Sequence, residues 1–380
     1  MPHVVLVFHS SSNANCLVAG VPAAARAARE VALAALFSPQ AFTNCSIAVP
    51  GGWTPTAWCR SELARLASDL TLDMIDIVAI RNDGVVFIPG EALMTAAEIS
   101  AALSESPVPA DERERSDAKQ ALEVSKRYAN DLRTAGNVII ASTRKATDGL
   151  ISRYINRPVS QAISRFLLRF PGIVPAHATA LAGAIAVIMA SCLFFGGKDG
   201  LIAGALLFQA ASIVDGVDGE IARATFRTSA SGAMLDSVTD AVTNLAFFSG
   251  LTVNLWSQGY EHAATMGTAG IGMLVLGMFF LGRHARINNE PFTFDAVKNQ
   301  MGMRNSLLRQ WLTWLTMRDF IAAIGMILIL AGLAPQALSA FAIVTAGWLS
   351  VTLFVLFRKS NLGAKTFSAE EVFHHTSVTP

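Results

Sequence analysis

The chain has 380 residues, of which 52% are apolar and 15% charged, with a net charge of +1. A soluble domain carries roughly 25% charged residues, so the composition points to a membrane protein, and the small net charge excludes a general electrostatic footprint for nucleic acid. Four cysteines, Cys16, Cys45, Cys59 and Cys192, show neither Cys-x-x-Cys spacing nor a paired framework, which excludes a disulfide scaffold or a Cys-based zinc site.

Residues 1–140 read as a cytosolic α/β domain. Strand-like runs (Val4–Phe8, Ser46–Val49, Asp76–Ile80, Val85–Ile88) alternate with helix-like ones (Ala23–Leu36, Trp58–Leu70, Met94–Leu103). Asn82-Asp83-Gly84 reads as a hairpin turn and Ser104–Arg115 as an exposed loop. The strand-like run follows Met1 with no basic segment or cleavage site, so no signal peptide is expected. The loop after the first strand, Phe8-His-Ser-Ser-Ser-Asn-Ala-Asn-Cys-Leu17, lacks the glycines whose amides wrap a triphosphate, and no Lys or Arg follows until Arg26.

Residues 141–170 form a linker, Ser142–Gly149, and an amphipathic helix. Ile151, Ile155, Val159, Ile163, Leu167 and Phe170 recur at spacings of three and four, with Arg153, Arg157, Arg165 and Arg169 at other positions. This pattern predicts a helix in the headgroup region, interrupted at Pro158. A soluble helix covering the α/β core is the alternative.

Residues 171–360 hold six candidate spans, near 177–195, 199–222, 233–256, 263–282, 311–333 and 337–357, each close to the ~20 residues that cross a bilayer. Arg223, Arg227, Arg283, Arg286, Lys298, Arg304, Arg309, Arg358, Lys359 and Lys365 fall on one side of these spans, and the opposite loops offer Lys198. Both termini are therefore expected in the cytosol, with 361–380 as a tail.

Between Pro171 and Gly282 there are ten charged residues, and seven of them lie from Asp215 to Asp240. Asp215 and Asp218 are spaced i, i+3, and Asp236 and Asp240 i, i+4, so each pair shares a helix face. A buried, unpaired Asp costs at least ~2.5 kcal/mol in a bilayer. Four converging carboxylates call for divalent cations, and hard oxygen ligands suit Mg²⁺ or Mn²⁺. Gly219, Ala222 and Gly232 leave room for close approach of a ligand, and Arg223 can pair with phosphate. Surface ion pairs or the ion path of a transporter are the alternatives.

The pattern Asp-x2-Asp-Gly-x2-Ala-Arg-x8-Gly-x3-Asp-x3-Asp, complete from Asp215 to Asp240, resembles the signature of the CDP-alcohol phosphotransferase family. The resemblance implies displacement of CMP from a CDP-linked donor by an acceptor hydroxyl, with two metal ions, in a homodimer among membrane lipids. It implies that Asp215, Asp218 and Asp236 ligate metal, that Asp240 is the general base close to the metals, and that Gly219, Ala222, Arg223 and Gly232 line the CDP pocket. Pro175-Ala-His177-Ala-Thr179 is similar to the family's Pro-Asn-x-x-Thr, departing at Ala176 and His177. Arg283, Arg286 and Arg318 are candidates for an acceptor phosphate, the first two equally as headgroup anchors.

An α/β domain ahead of such a membrane domain resembles the inositol-phosphate cytidylyltransferase and di-inositol-phosphate synthase fusions. Val18-Ala-Gly-Val-Pro22 is similar to a nucleotidyltransferase after its phosphate loop, and Thr147–Arg157 to the junction. The missing loop makes the domain a degenerate, Rossmann-like nucleotidyltransferase, with an unrelated α/β module as the alternative. The functions that follow are a CDP-alcohol transferase, a phosphatidylinositol-phosphate-type synthase using CDP-diacylglycerol, or an ion-coupled transporter.

Overall fold

A computed structural model describes residues 3–37, 43–79, 85–104, 113–145, 148–287 and 317–375. The chain divides into two compact units. One holds Met1–Arg144, Gln161–Val174 and Glu220–Arg227, and the other Lys145–Ser160, Pro175–Gly219 and Thr228–Pro380.

The first unit is built on β1 (His3–Val7), α1 (Ser11–Ala14), β2 (Leu17–Val18), β3 (Val21–Pro22), α2 (Ala23–Phe37), β4 (Asn44–Val49), α3 (Ala57–Leu66), β5 (Thr71–Asp76), β6 (Val85–Pro89), α4 (Ala96–Ser104), α5 (Arg113–Tyr128) and α6 (Leu132–Ser142). The main sheet runs β5-β4-β1-β6 with every pairing parallel. The central strands are buried on both faces, which is why β1 and β4 are apolar almost throughout. The alanine-rich α2 packs with α3 and α4 on one face, and Ala121 and Leu122 of α5 cover Val5, Val7 and Ala48 on the other. Cys45 and Cys59 are core filler, with burial pushing both thiols up to about 12, and all four cysteines are free.

Two expectations change. The third strand is Thr71–Asp76 and not Asp76–Ile80, since Leu72 and Met74 alternate with polar residues along a half-exposed edge and Ile77–Ala79 coil into a 3₁₀ turn. No hairpin joins β5 to β6, because they lie at opposite edges of the sheet, each beside a parallel partner. Asn82-Asp83-Gly84 itself lies outside the described residues. The hairpin that does occur is β2–β3, whose turn residues Ala19 and Gly20 both have positive φ, as a tight two-residue turn requires.

The helices that follow are α7 (Arg157–Leu167), α8 (Pro175–Phe195), α9 (Gly197–Ala224), α10 (Ala230–Ser257), α11 (Glu261–Ile287), α12 (Arg318–Leu330) and α13 (Ala334–His375). Just before Pro158, Ser152–Asn156 form a π-turn in which the Arg157 N–H reaches back to the Ser152 carbonyl; this is how the helix accommodates a residue without an N–H. Of the predicted basic positions Arg157 is buried, Arg165 half-buried and Arg153 and Arg169 exposed. Asn156, Ser160, Gln161 and Ser164 are buried, whereas Tyr154, Ile155, Val159, Phe166 and Phe170 are exposed, an arrangement opposite to that of a helix covering a soluble core.

Among the described residues four helices are long and apolar enough to cross a membrane: α8, α9, α11 and the Ala334–Phe354 part of α13. Of the six expected spans, the one at 311–333 begins outside the described residues and α12 accounts for 13 residues of it. The one at 233–256 is the 28-residue α10, whose first half is rich in Ser, Thr and Asp. Lys298, Arg304 and Arg309 lie outside the described residues. These helices pack through a shared core in which Phe208 stacks on Phe247 at 3.9 Å and Phe248 on Phe341 at 3.5 Å. Gly250 is necessary there, since a Cβ would fall 2.6 Å from that of Leu193.

Candidate active site

The motif begins inside α9. Asp215 and Asp218 sit one turn apart near its C-terminal end, and the helix is tied down before them by Gln209 and Ser212, both hydrogen-bonded to the buried Asn156 side chain. Next to Asp215, the Gly216 carbonyl accepts from Arg157 Nη1 at 3.4 Å. That guanidinium is held by two parallel bonds to Asp148, at 2.8 and 2.9 Å, with both side chains more than nine-tenths buried. Burial works against the Asp148 charge, but the bonds and charge of Arg157 outweigh it and hold the carboxyl below its ordinary value.

The helix ends in a Schellman turn. The Arg227 N–H donates to the Ala222 carbonyl at 2.8 Å and the Phe226 N–H to that of Arg223 at 3.5 Å, with Phe226 at φ +57°. Ser229 then caps α10, its Oγ accepting from the Gly232 N–H at 3.0 Å, and a Cβ on Gly232 would lie just 3.0 Å from that oxygen. Gly232 thus has a local reason to be glycine beyond any ligand.

Asp236 and Asp240 follow on the first turns of α10. Carboxylate oxygens of Asp215, Asp236 and Asp240 lie within 4.8 Å of one another. Arg318, the first residue of α12, places Nη1 3.0 Å from Asp215 and bonds Asp240 as well. Asp218 is engaged differently, its Oδ2 accepting from Thr179 Oγ1 at 2.8 Å. Three hard carboxylate donors converging on one point, beside a fourth one turn away, are a donor set that fits Mg²⁺ or Mn²⁺.

The remaining predicted residues are spread more widely. Gly219 is half-buried beside Asp218; Ala222 and Arg223 lie on the last turn of α9, within the first unit, where Arg223 Nε donates to the Thr143 carbonyl at 2.8 Å. Arg283 and Arg286 are exposed at the end of α11. The sequence places Asp148 in the junction and Arg157 in both the junction and the amphipathic helix, and their grip on the backbone beside Asp215 is visible only in the structure. An acid and a base nine residues apart are the local signal, and the intervening Arg153 makes it ambiguous.

Comparison with known proteins bears on the half that holds this site. Residues 172–357 match the family model for CDP-alcohol phosphatidyltransferase. That stretch is similar to the CDP-alcohol phosphatidyltransferases. Its similar curated relatives are named bifunctional IPC transferase and DIPP synthase. The protein of Aquifex aeolicus is 36% identical over 126 residues, covering 33% of this chain and 28% of the relative. That of Rubrobacter xylanophilus is 31% identical over 179 residues, covering 47% and 39%. That of Archaeoglobus fulgidus is 34% identical over 118 residues, covering 31% and 23%. The matched stretches thus span well under half of each relative. The matched stretch, the apolar helices and the carboxylate cluster all fall in the same half of the chain.

Proposed function

We propose that the protein transfers a phosphoalcohol or phosphatidyl group from a CDP-linked donor to an acceptor hydroxyl, releasing CMP, in phospholipid or polar-headgroup synthesis. The observation that carries this reading is the convergence of Asp215, Asp236 and Asp240 within a complete signature. Asp215, Asp218, Asp236 and Asp240 would hold Mg²⁺ or Mn²⁺, two ions in this reading, which would supply neutralisation of the charge that builds on the phosphoryl oxygens. Asp240 takes the proton of the acceptor hydroxyl. The new P–O bond forms at the phosphorus bearing the donor's alcohol, the pyrophosphate P–O bond breaks, and CMP leaves. Gly219 and Ala222 admit the nucleotide, and Arg223 offers it a planar cation. Arg318, already beside Asp240, is better placed for an acceptor phosphate than Arg283 or Arg286, which suit headgroup anchoring.

In this reading the domains are 1–140, 141–170, 171–360 and 361–380, the last third completes six spans with both termini cytosolic, and the enzyme is a homodimer. The outward apolar side of the Ser152–Leu167 helix supports its lying at the membrane interface. The α/β domain has the strand order of a nucleotide-binding fold, with its ligand crevice expected between β1 and β6. Glu91 fills that place, accepting from the His9 N–H at 2.8 Å and from the Asn13 side chain. The Asn13, Ala14, Asn15 and Cys16 amides all bond within their own loop. This supports a degenerate nucleotidyltransferase, so that of the two activities in its relatives' names the chain keeps the synthase. A lipid-linked donor is a second reading, favoured by exposed Met234, Leu235, Val238 and Val242 beside Asp236 and Asp240.

The test is CMP release by the purified full chain from a panel of CDP-alcohols and CDP-diacylglycerol, with Mg²⁺ or Mn²⁺ and with chelator. Metal-dependent CMP release from one donor is expected, and the donor that works separates the two readings. Cation flux without CMP from any donor would make the protein a transporter.

A further inference from the structure

The eight residues between Arg223 and Gly232 set the distance between the two Asp pairs, and the turn that starts them is strained. Phe226 occupies the left-handed position that helices reserve for glycine, which an aromatic residue adopts only when its surroundings hold it there. Residues Glu220–Arg227 belong to the same compact unit as the α/β domain, and that domain supplies the hold.

Three arginines and one carboxylate do so. Arg26 donates to the Val18 carbonyl at 2.9 Å and, with the same Nη2, to the Ala224 carbonyl at 2.7 Å. Arg65 donates to the Thr225 carbonyl at 2.8 Å and the Phe226 carbonyl at 3.1 Å. The Ala224 carbonyl, the last of α9, and the two that follow it are thus capped by cations, which also suits the helix dipole. Buried Glu62 holds Arg65 at 2.5 Å and Arg227 on its other oxygen. The Phe226 ring lies under Arg29 at 3.8 Å and Arg26 at 4.8 Å, and Arg227 lies over Trp58.

The parts that resemble a nucleotidyltransferase are the ones used. Val18 supplies a carbonyl to Arg26, and the Gly20 carbonyl accepts from Trp58 Nε1. A Cβ on Gly20 would fall 2.6 Å from Leu168 and 3.2 Å from Thr225. Burial lowers Arg26 to about 10, so it remains cationic at neutral pH.

We propose that the α/β domain is a positioning device for the transferase: Arg26, Arg65 and Glu62 hold the strained Thr225–Arg227 turn and thereby fix the spacing of Asp215 and Asp218 against Asp236 and Asp240. This rests on the catalytic reading of those four residues. The α/β fold is retained because its hairpin and α2–α3 surface grip the end of α9, with no nucleotide chemistry of its own.

The experiment uses the full chain in lipid nanodiscs, with Arg65→Ala, Phe226→Ala and the conservative Phe226→Trp. Hydrogen exchange of residues 222–232, Mn²⁺ affinity and CMP release are measured. Loss of two carbonyl caps or of the stacked ring speeds exchange in this segment and weakens Mn²⁺ half-saturation and donor KM by about tenfold. kcat at saturation changes by less than about threefold, and Phe226→Trp behaves as the parent. Unchanged exchange and Mn²⁺ affinity in a folded Arg65→Ala protein overturn the proposal, as does a Phe226→Trp protein as impaired as Phe226→Ala. Should Arg65→Ala not accumulate, the Phe226 pair decides. If the parent releases no CMP from any donor, the transferase reading fails, while exchange and Mn²⁺ affinity still judge the grip on the turn.

Discussion

Two regions of this chain gather carboxylates and polar groups at the ends of secondary elements, and they treat them in opposite ways. At the β1–β6 crevice a single buried acid, Glu91, is answered by an N–H and a side-chain amide, the neighbouring amides are satisfied locally, and Phe8 packs so closely on Gly90 that a Cβ there would lie 2.3 Å from its ring. Among the described residues, the acids Asp215, Asp236 and Asp240 face one another, and the Arg318 guanidinium lies beside Asp215 and Asp240. In the first region a triphosphate would meet the negative charge of Glu91, and the Asn13–Cys16 amides are already bonded within their loop. The second gathers carboxylate oxygens of three acids within 4.8 Å of one another, a donor set that a divalent cation suits. A fold's ligand-binding topology therefore does not imply a working site, which depends on whether its polar groups are left for a ligand.

The sharpest way to break this contrast is Asp240→Asn. If the open cluster is catalytic and Asp240 its base, CMP release falls by about 10³-fold while donor binding persists; near-parental turnover would remove the base assignment. Asp148→Asn probes the support of the cluster. Its carboxyl lies below the ordinary range when folded, so its stabilisation is complete above its unfolded value and disappears as pH falls through the folded one. The variant should lose about 3–5 kcal/mol near pH 7 by breaking a buried pair, with the gap in thermal midpoint closing below about pH 4. A gap that persists in acid would mean that the loss is steric.

Gly219→Leu tests the nucleotide approach. Overfilling it by about 1–3 kcal/mol should weaken CDP binding roughly 5- to 150-fold with the melting transition unchanged, and normal binding in a folded variant would move the pocket elsewhere. The smallest effect is expected at the β1–β6 crevice. The full chain, given CTP, Mg²⁺ and alcohol phosphates including inositol phosphate, should release no pyrophosphate above a boiled control, with or without Glu91→Gln. Pyrophosphate from either protein would reopen the crevice.

Local periodicity made much of this legible beforehand. The spacing of Asp215 through Asp240, the apolar lengths of the helices and the alternation of strands with helices are properties of short windows, and hydropathy and i, i+3 geometry act within such windows. The sequence also showed the missing phosphate loop, because glycines and cations are either present in ten residues or not. Reading Asp76–Ile80 as a strand failed because an edge strand with one exposed face carries a weaker pattern than the apolar run after it.

Tertiary structure decided which groups meet. Thr179 reaches Asp218 across 39 positions, Arg318 reaches Asp240 across 78, and Arg26 reaches Ala224 across 198. It also decided that Phe226 accepts a left-handed backbone and that Asn156, Ser160, Gln161 and Ser164 are buried while Ile155 and Val159 are exposed. None of these follows from a window of sequence. Each pays its local cost, a buried charge, a strained φ or an exposed aromatic, through a partner or solvent that only the folded chain and its surroundings bring into place.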